Sequence, residues 1–65
     1  MAMVELLWPH KMEVRVSDPD IPATQYEHEI RTALAHGQDY VLSSRTKTVI
    51  VPAELLRTAI IEITK

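Results

Sequence analysis

The sequence contains no cysteine and a single glycine, and both shortages exclude common kinds of functional site. Without cysteine the chain can form neither a disulfide framework nor a thiolate zinc site. With Gly37 as its only glycine, it cannot build a glycine-rich loop that cradles a phosphate group. Function must therefore be sought outside these metal and nucleotide sites.

Long apolar runs and an excess of basic residues are missing as well. No stretch approaches the ~20 apolar residues of a membrane span, and the N-terminal segment MAMVELLWPHK lacks the basic region of a signal peptide. We therefore expect a cytoplasmic protein without a membrane partner. The formal net charge of −2 also removes any overall attraction to nucleic acid.

Chain length limits the size of the core. The 65 residues form one domain, residues 1–65, and so short a chain buries only about 60% of the surface that its unfolded form exposes. Small chains without a disulfide often gain core by oligomerising. A homo-oligomer or a complex with a partner is therefore expected as readily as a monomer.

The first two apolar segments predict strands. MVELLWP is rich in strand-forming residues and should end at Pro9. KMEVRVS alternates, with Met12, Val14 and Val16 on one face, which is typical of a strand with one solvated face. The link PH between them is short enough for a hairpin.

Residues 24–37 predict one helix. Thr24 and Glu27 have the spacing of a capping box at its start, and Gly37 stands where a left-handed residue would end it. The apolar residues of this segment recur at helical spacing and form one stripe, which consists of Tyr26, Ile30, Ala33 and Leu34.

The remaining segments predict a second hairpin, formed by DYVLSS and TVIV around RTK, and a C-terminal element of uncertain type. The segment AIIEIT favours a short helical turn, PAELL, followed by a strand, because β-branched side chains lose rotamer freedom in a helix. The alternative is a helix over residues 52–64 with Pro52 in its first position.

Together these segments predict an α+β domain of order β-β-α-β-β-β, with one helix packed on a small, mostly antiparallel sheet. Such a fold leaves free strand edges and an uncovered sheet face, and an exposed apolar patch there would mark a partner-binding surface. The candidate residues for protein interaction are Leu6, Trp8, Val41 and Ile50. Trp8, the only tryptophan, is expected to be either a core or dimer residue or the anchor of an interface with a partner.

The segments EVRV, ALAHG and VIVPAELLRTAIIEI resemble a group of very short actinobacterial proteins and some small bacteriophage proteins. In that group a helix is followed by a hairpin, a Val-Pro-Ala step and a terminal strand. The matching motifs are residues 51–53 and 61–63, and the resemblance covers residues 12–64. No activity is assigned to the group, so the resemblance implies a bacterial or phage protein with this fold and a C-terminal strand.

Residues that could carry chemistry lack the arrangements that chemistry needs. They are the histidines His10, His28 and His36, the aspartates Asp18 and Asp20, and the serines Ser17, Ser43 and Ser44. The histidines do not have the spacing of a zinc motif, and the aspartates lack the further oxygen ligands of a calcium loop. The serines lack a nucleophile elbow. We interpret these residues as surface and turn residues, and expect neither an enzyme nor a cofactor.

Arg45, Lys47 and Arg57 form the one local basic group and are the candidate nucleic-acid contacts. Arg45 and Lys47 alternate on the predicted hairpin and could face one phosphate backbone, and Tyr40 could stack on a base. The segment TVIVPAELLRTA is also similar to the strand-to-helix step of swapped-hairpin, transition-state transcription factors. Their turn usually contains a glycine, which SSRTK lacks.

Two functions follow from these observations. The first is a small non-enzymatic interaction module that self-associates or binds a protein partner through a sheet edge or an apolar patch near Trp8. The alternative is a nucleic-acid-binding transcriptional regulator that uses the basic hairpin, residues 43–57.

Overall fold

Residues 2–65 fold as an α+β domain of five strands, one long helix and one very short helix. The computed structural model describes residues 2–65. Its elements are β1 (Met3–Leu7), β2 (Glu13–Ser17), α1 (Ala23–His36), β3 (Tyr40–Ser43), β4 (Thr48–Val51), α2 (Ala53–Leu56) and β5 (Ile60–Thr64). The predicted fold class is confirmed. The C-terminal strand is also confirmed, and the alternative of one helix over residues 52–64 is wrong.

The strands divide into two antiparallel sheets instead of the single sheet expected. One sheet has three strands in the order β2-β1-β5, and the other is the β3-β4 hairpin. In the larger sheet, Leu6 lies opposite Val14 on one side and Ile61 on the other. Because β1 is the central strand, its inward side chains are enclosed from both sides.

The prediction that Leu6 lies on the surface is wrong, since its side chain is fully buried in the core. The buried apolar residues come from every element except β5, whose Ile61 and Ile63 are partly buried against them, and they form one cluster: Ala2, Val4, Leu6, Val16, Tyr26, Ile30, Ala33, Tyr40, Leu42, Val51 and Leu56. Three members of the predicted helical stripe belong to it, whereas Leu34 remains 37% exposed. The core therefore lies between the two sheets' inner faces and α1, which contacts both β3 and β5.

Helix α1 starts without the predicted capping box. Its N-cap is Pro22, in an extended conformation, and no side chain within residues 2–65 caps the helix. Thr24 lies inside the first turn, and Glu27 instead accepts a hydrogen bond from Arg31 one turn later, at 2.9 Å. The prolines of SDPDIP bring the chain into the helix earlier than Thr24, because proline has a backbone angle that suits helix entry.

The end of α1 follows the prediction. Gly37 has φ of 62°, and the N–H of Gln38 donates to the Ala33 carbonyl oxygen at 2.9 Å. This is the Schellman arrangement, in which a left-handed residue lets the next amide reach back to a carbonyl of the last helical turn. The chain can then turn directly into β3.

The first hairpin has a longer turn than the sequence suggests. The N–H of Trp8 donates to the Met12 carbonyl oxygen at 3.0 Å, so the first turn includes more than the PH pair. Lys11 adopts a left-handed φ of 64° within it. In the second turn, the N–H of Ser44 donates to the Lys47 carbonyl oxygen at 2.8 Å.

Candidate protein-interaction surface

The outer edge of β5 carries backbone groups that no other strand uses. In an antiparallel ladder, hydrogen-bonded pairs alternate with non-hydrogen-bonded pairs, and Trp8–Met12 is a hydrogen-bonded pair. Every second residue of β1 therefore directs its backbone groups to β2, and the residues between them direct theirs to β5. All five residues of β5 lie opposite a residue of β1, but only Ile60, Glu62 and Thr64 direct their backbone N–H and C=O groups towards it. The N–H and C=O groups of Ile61 and Ile63 point to the free edge, where no backbone hydrogen bond outside the ladders reaches them within residues 2–65.

An apolar groove runs beside this edge. Helix α1 lies next to β5 and leaves a space of about 220 Å³ between them. We call it the β5 groove, and its lining residues are Glu27, Ile30, Arg31, Leu34, Ile61 and Ile63. The charges on its helical rim compensate one another, since Arg31 and Glu27 form the ion pair described above. An unpaired strand edge beside an apolar groove can accept an extended chain, which hydrogen-bonds to the edge and inserts alternate side chains.

The outer face of the three-stranded sheet is acidic next to the same edge. Glu5, on the central strand, lies opposite Arg15 on one side and opposite Glu62 on the other. Arg15 Nη2 lies 3.2 Å from Glu5 Oε2 and 3.7 Å from Glu13 Oε1. Within residues 2–65 Glu62 forms no ion pair, so it faces a like charge without compensation.

The other predicted interaction residues lie on different elements. Val41 and Ile50 are cross-strand partners on the outer face of the β3-β4 hairpin, where they are 51% and 64% exposed. Trp8 lies in the turn after β1 and is half-buried against the core. Its Nε1 donates to the Leu55 carbonyl oxygen at 2.9 Å, so the indole is held by α2. The part that these three residues play in binding stays a prediction.

The basic residues are not gathered on one strand. Arg45 and Lys47 lie in the turn between β3 and β4, where Arg45 Nη2 is 3.6 Å from Asp20 Oδ2, and Arg57 follows α2. Tyr40 is buried, which makes its predicted stacking on a base wrong. Its Oη lies 3.4 Å from Glu29 Oε1, and burial together with this carboxylate raises the pKa of the Tyr40 phenol.

Tyr26 is the one buried side chain whose polar atom has no hydrogen-bond partner within residues 2–65. The sequence predicts it correctly as a core residue. Burial raises the pKa of the Tyr26 phenol, and the nearby carboxylates of Asp18 and Glu29 act in the same direction, whereas the Asp18 backbone acts in the opposite one. Its hydroxyl is therefore a feature of the core and not of a surface site.

The polar groove on the other side of α1 is largely used by the fold itself. It has a volume of about 400 Å³ and is lined partly by His28, Thr32 and Asp39. Thr32 Oγ1 donates to the His28 carbonyl oxygen at 2.8 Å, and Asp39 Oδ1 accepts the N–H of Ala53 at 2.8 Å. No group of three or more histidine, aspartate or glutamate residues in the described part of the chain is arranged to hold a metal ion.

Comparison with protein-family models, curated proteins and solved structures gives no significant match to this chain. The resemblance to short actinobacterial and phage proteins therefore stays a prediction. Between residues 2 and 65, neither helix has the length and apolar character that crossing a membrane would require.

The sequence contains one sign of the β5 groove. Ile61 and Ile63 alternate with Glu62, which predicts a strand with an apolar and an acidic face. It does not reveal that β5 is an edge strand or that α1 stops short of covering it, because both depend on strand order. Glu62, Leu34 and Ile30 were for this reason not among the predicted site residues.

Proposed function

We propose that this protein is a small non-enzymatic interaction module that binds an extended segment of a partner protein by strand addition at β5. The observation that carries the proposal is the free edge of Ile61 and Ile63 beside the apolar β5 groove. The chain's resemblance to short actinobacterial and phage proteins supports a bacterial or phage protein, and the cytoplasm is its proposed location.

Strand addition suits a domain of this size. The edge supplies backbone hydrogen bonds whatever the partner's sequence, and the groove adds apolar contact at alternate positions. Edge strands that do not pair with another chain are usually short, twisted or charged. On β5 the charged side chain, Glu62, points to the outer face, whereas the groove side carries only isoleucines.

Pairing of two copies through β5 is disfavoured by the same carboxylate. The antiparallel register that uses both free residues pairs Ile61 with Ile63 of the second copy and places Glu62 opposite Glu62. Like charges directly opposite one another destabilise a strand pair. Self-association, which the sequence predicts, would therefore use another surface, for which the exposed pair of Val41 and Ile50 is the candidate.

The test is to pan the purified protein against a displayed library of random ten-residue peptides and to titrate an enriched peptide by NMR. Binding should shift the backbone amides of Ile61 and Ile63. Leu34→Arg should weaken it strongly, because the new side chain occupies the groove. Leu55→Arg is the matched control, since Leu34 and Leu55 are similarly exposed, at 37% and 41%, but only Leu34 lines the groove.

Equal loss of binding in both variants, or enriched peptides that leave the β5 amides unmoved, would contradict the proposal. Enrichment of no peptide at all would also count against it.

The alternative function, nucleic-acid binding by Arg45, Lys47 and Arg57, predicts that binding to DNA weakens steeply with salt. The observation that favours it is the exposure of all three side chains.

A further inference from the structure

The partner of the β5 groove can be described by its chemistry. We infer that it is an extended segment with the pattern apolar–basic–apolar, whose lysine or arginine lies against Glu62. The inference rests on the proposed function, since it names the chemistry of the chain that β5 would accept.

The apolar positions follow from the direction of the side chains. An antiparallel partner strand would form its hydrogen-bonded pairs with Ile61 and Ile63, whose backbone groups face the edge. Residues directly opposite one another project to the same face of the sheet. The two partner residues opposite these isoleucines therefore point into the β5 groove, where Ile30 and Leu34 complete an apolar lining.

The basic position follows from the residue between them. The partner residue opposite Glu62 occupies a non-hydrogen-bonded pair, the kind in which side chains approach most closely. It projects to the outer face of the sheet, as Glu62 does. A long cationic side chain there meets Glu62 directly and extends towards Glu5 on the next strand.

Among residues 2–65, the charges already on that face leave this position without a cation. Arg15, on the opposite edge strand β2, forms ion pairs with Glu5 and Glu13. Lys65 follows β5 but lines a different depression, together with Ala2 and Pro22. A partner's lysine or arginine would therefore relieve the unfavourable opposition of Glu5 and Glu62, whereas an acidic partner residue would add a third carboxylate.

The test uses three capped peptides, Val-Thr-Val-Xaa-Val-Thr-Val, in which the central residue is Lys, Thr or Glu. Capping removes the terminal charges, so that the peptides differ only at the position intended to face Glu62. Binding is measured by NMR titration, with the Ile61 and Ile63 amides as reporters. We expect the Lys peptide to bind about fivefold tighter than the Thr peptide, and the Glu peptide to bind weakest.

Substitution of Glu62 tests the assignment of the charge. Glu62→Gln should remove most of the preference, and Glu62→Lys should reverse the order of the Lys and Glu peptides. Equal affinities of all three peptides for the unaltered protein would overturn the basic position and leave strand addition intact. Failure of every peptide to shift the β5 amides would overturn both the inference and the proposed function.

Discussion

The indole N–H of Trp8 donates a 2.9 Å hydrogen bond to the main-chain carbonyl oxygen of Leu55 and so joins the first hairpin turn to α2. The two residues are 47 positions apart in the sequence. The same carbonyl oxygen accepts the N–H of Thr58 at 3.1 Å and its Oγ1 hydroxyl at 3.0 Å. Trp8 thus stabilises the chain reversal that leads from α2 into β5.

Replacement of Trp8 by phenylalanine should lower the free energy of unfolding by about 1–2 kcal/mol. Part of that loss is the hydrogen bond, which is worth about 1 kcal/mol, and the remainder is lost contact area. Urea unfolding measures it. A matched control is Ile50→Val, which removes one methylene from an exposed side chain and should change stability little. An unchanged stability in Trp8→Phe would show that the turn and α2 are held together by other contacts.

Asp39 should be as important for α2 as Trp8. Its Oδ1 accepts the N–H of Ala53 at 2.8 Å and so caps the start of a helix that follows 14 positions later. Loss of a capping side chain costs about 0.5–2 kcal/mol, so Asp39→Ala should destabilise by that amount. Asp20→Ala should cost little, because Asp20 forms only an exposed ion pair with Arg45. Equal effects of the two substitutions in urea unfolding would argue against the cap.

Removal of the Tyr26 hydroxyl should stabilise the protein. A buried polar group without a partner costs about 1–3 kcal/mol, so Tyr26→Phe should raise the free energy of unfolding by about 1 kcal/mol or more. Tyr40→Phe is the comparison, because the Tyr40 hydroxyl donates to Glu29 and its removal should not stabilise. Both are read from thermal and urea unfolding. A destabilised Tyr26→Phe would reveal that the hydroxyl has a partner in solution.

Stability should fall in alkaline solution because both buried phenols have raised pKa values. Between the ordinary tyrosine pKa of 10.0 and the higher folded values, the unfolded chain loses protons that the folded protein keeps. The tyrosine contribution is therefore fully present below pH 10 and is lost as the pH rises above it. Urea unfolding from pH 8 upwards should show this decline, and Tyr40→Phe should make it shallower. A decline of the same slope in the variant would show that Tyr40 does not cause it.

Much of the local structure could be predicted from the sequence because it depends on near neighbours. The alternation in EVRVS and IIEIT predicts β2 and β5, and Gly37 marks the end of α1. The capping box failed because proline residues before Thr24 set the helix start. In each case the outcome depends on a few consecutive residues.

The arrangement of the strands, by contrast, depends on contacts between distant residues. Leu6 and Leu7 differ in burial because successive side chains of a strand point to opposite faces, and only one face of β1 meets the core. No pattern within MVELL indicates that β1 lies between β2 and β5. The same applies to Tyr40, which packs in the core although its neighbour Val41 is exposed. The β5 groove could not be predicted because it exists only where α1 leaves the edge strand open.

The central place of β1 has a further consequence, for the order in which the molecule can form. Met3 pairs with Thr64, so closing the three-stranded sheet joins residues from nearly the whole length of the chain. Such non-local pairing slows folding, because the loop between the strands must be closed before the contacts stabilise it. In a nascent chain whose residues 60–64 have not yet been synthesised, Val4 and Leu6 lie on a strand that has no neighbour on one side. The domain therefore completes its fold only after translation of β5, and until then one side of this apolar strand has no partner.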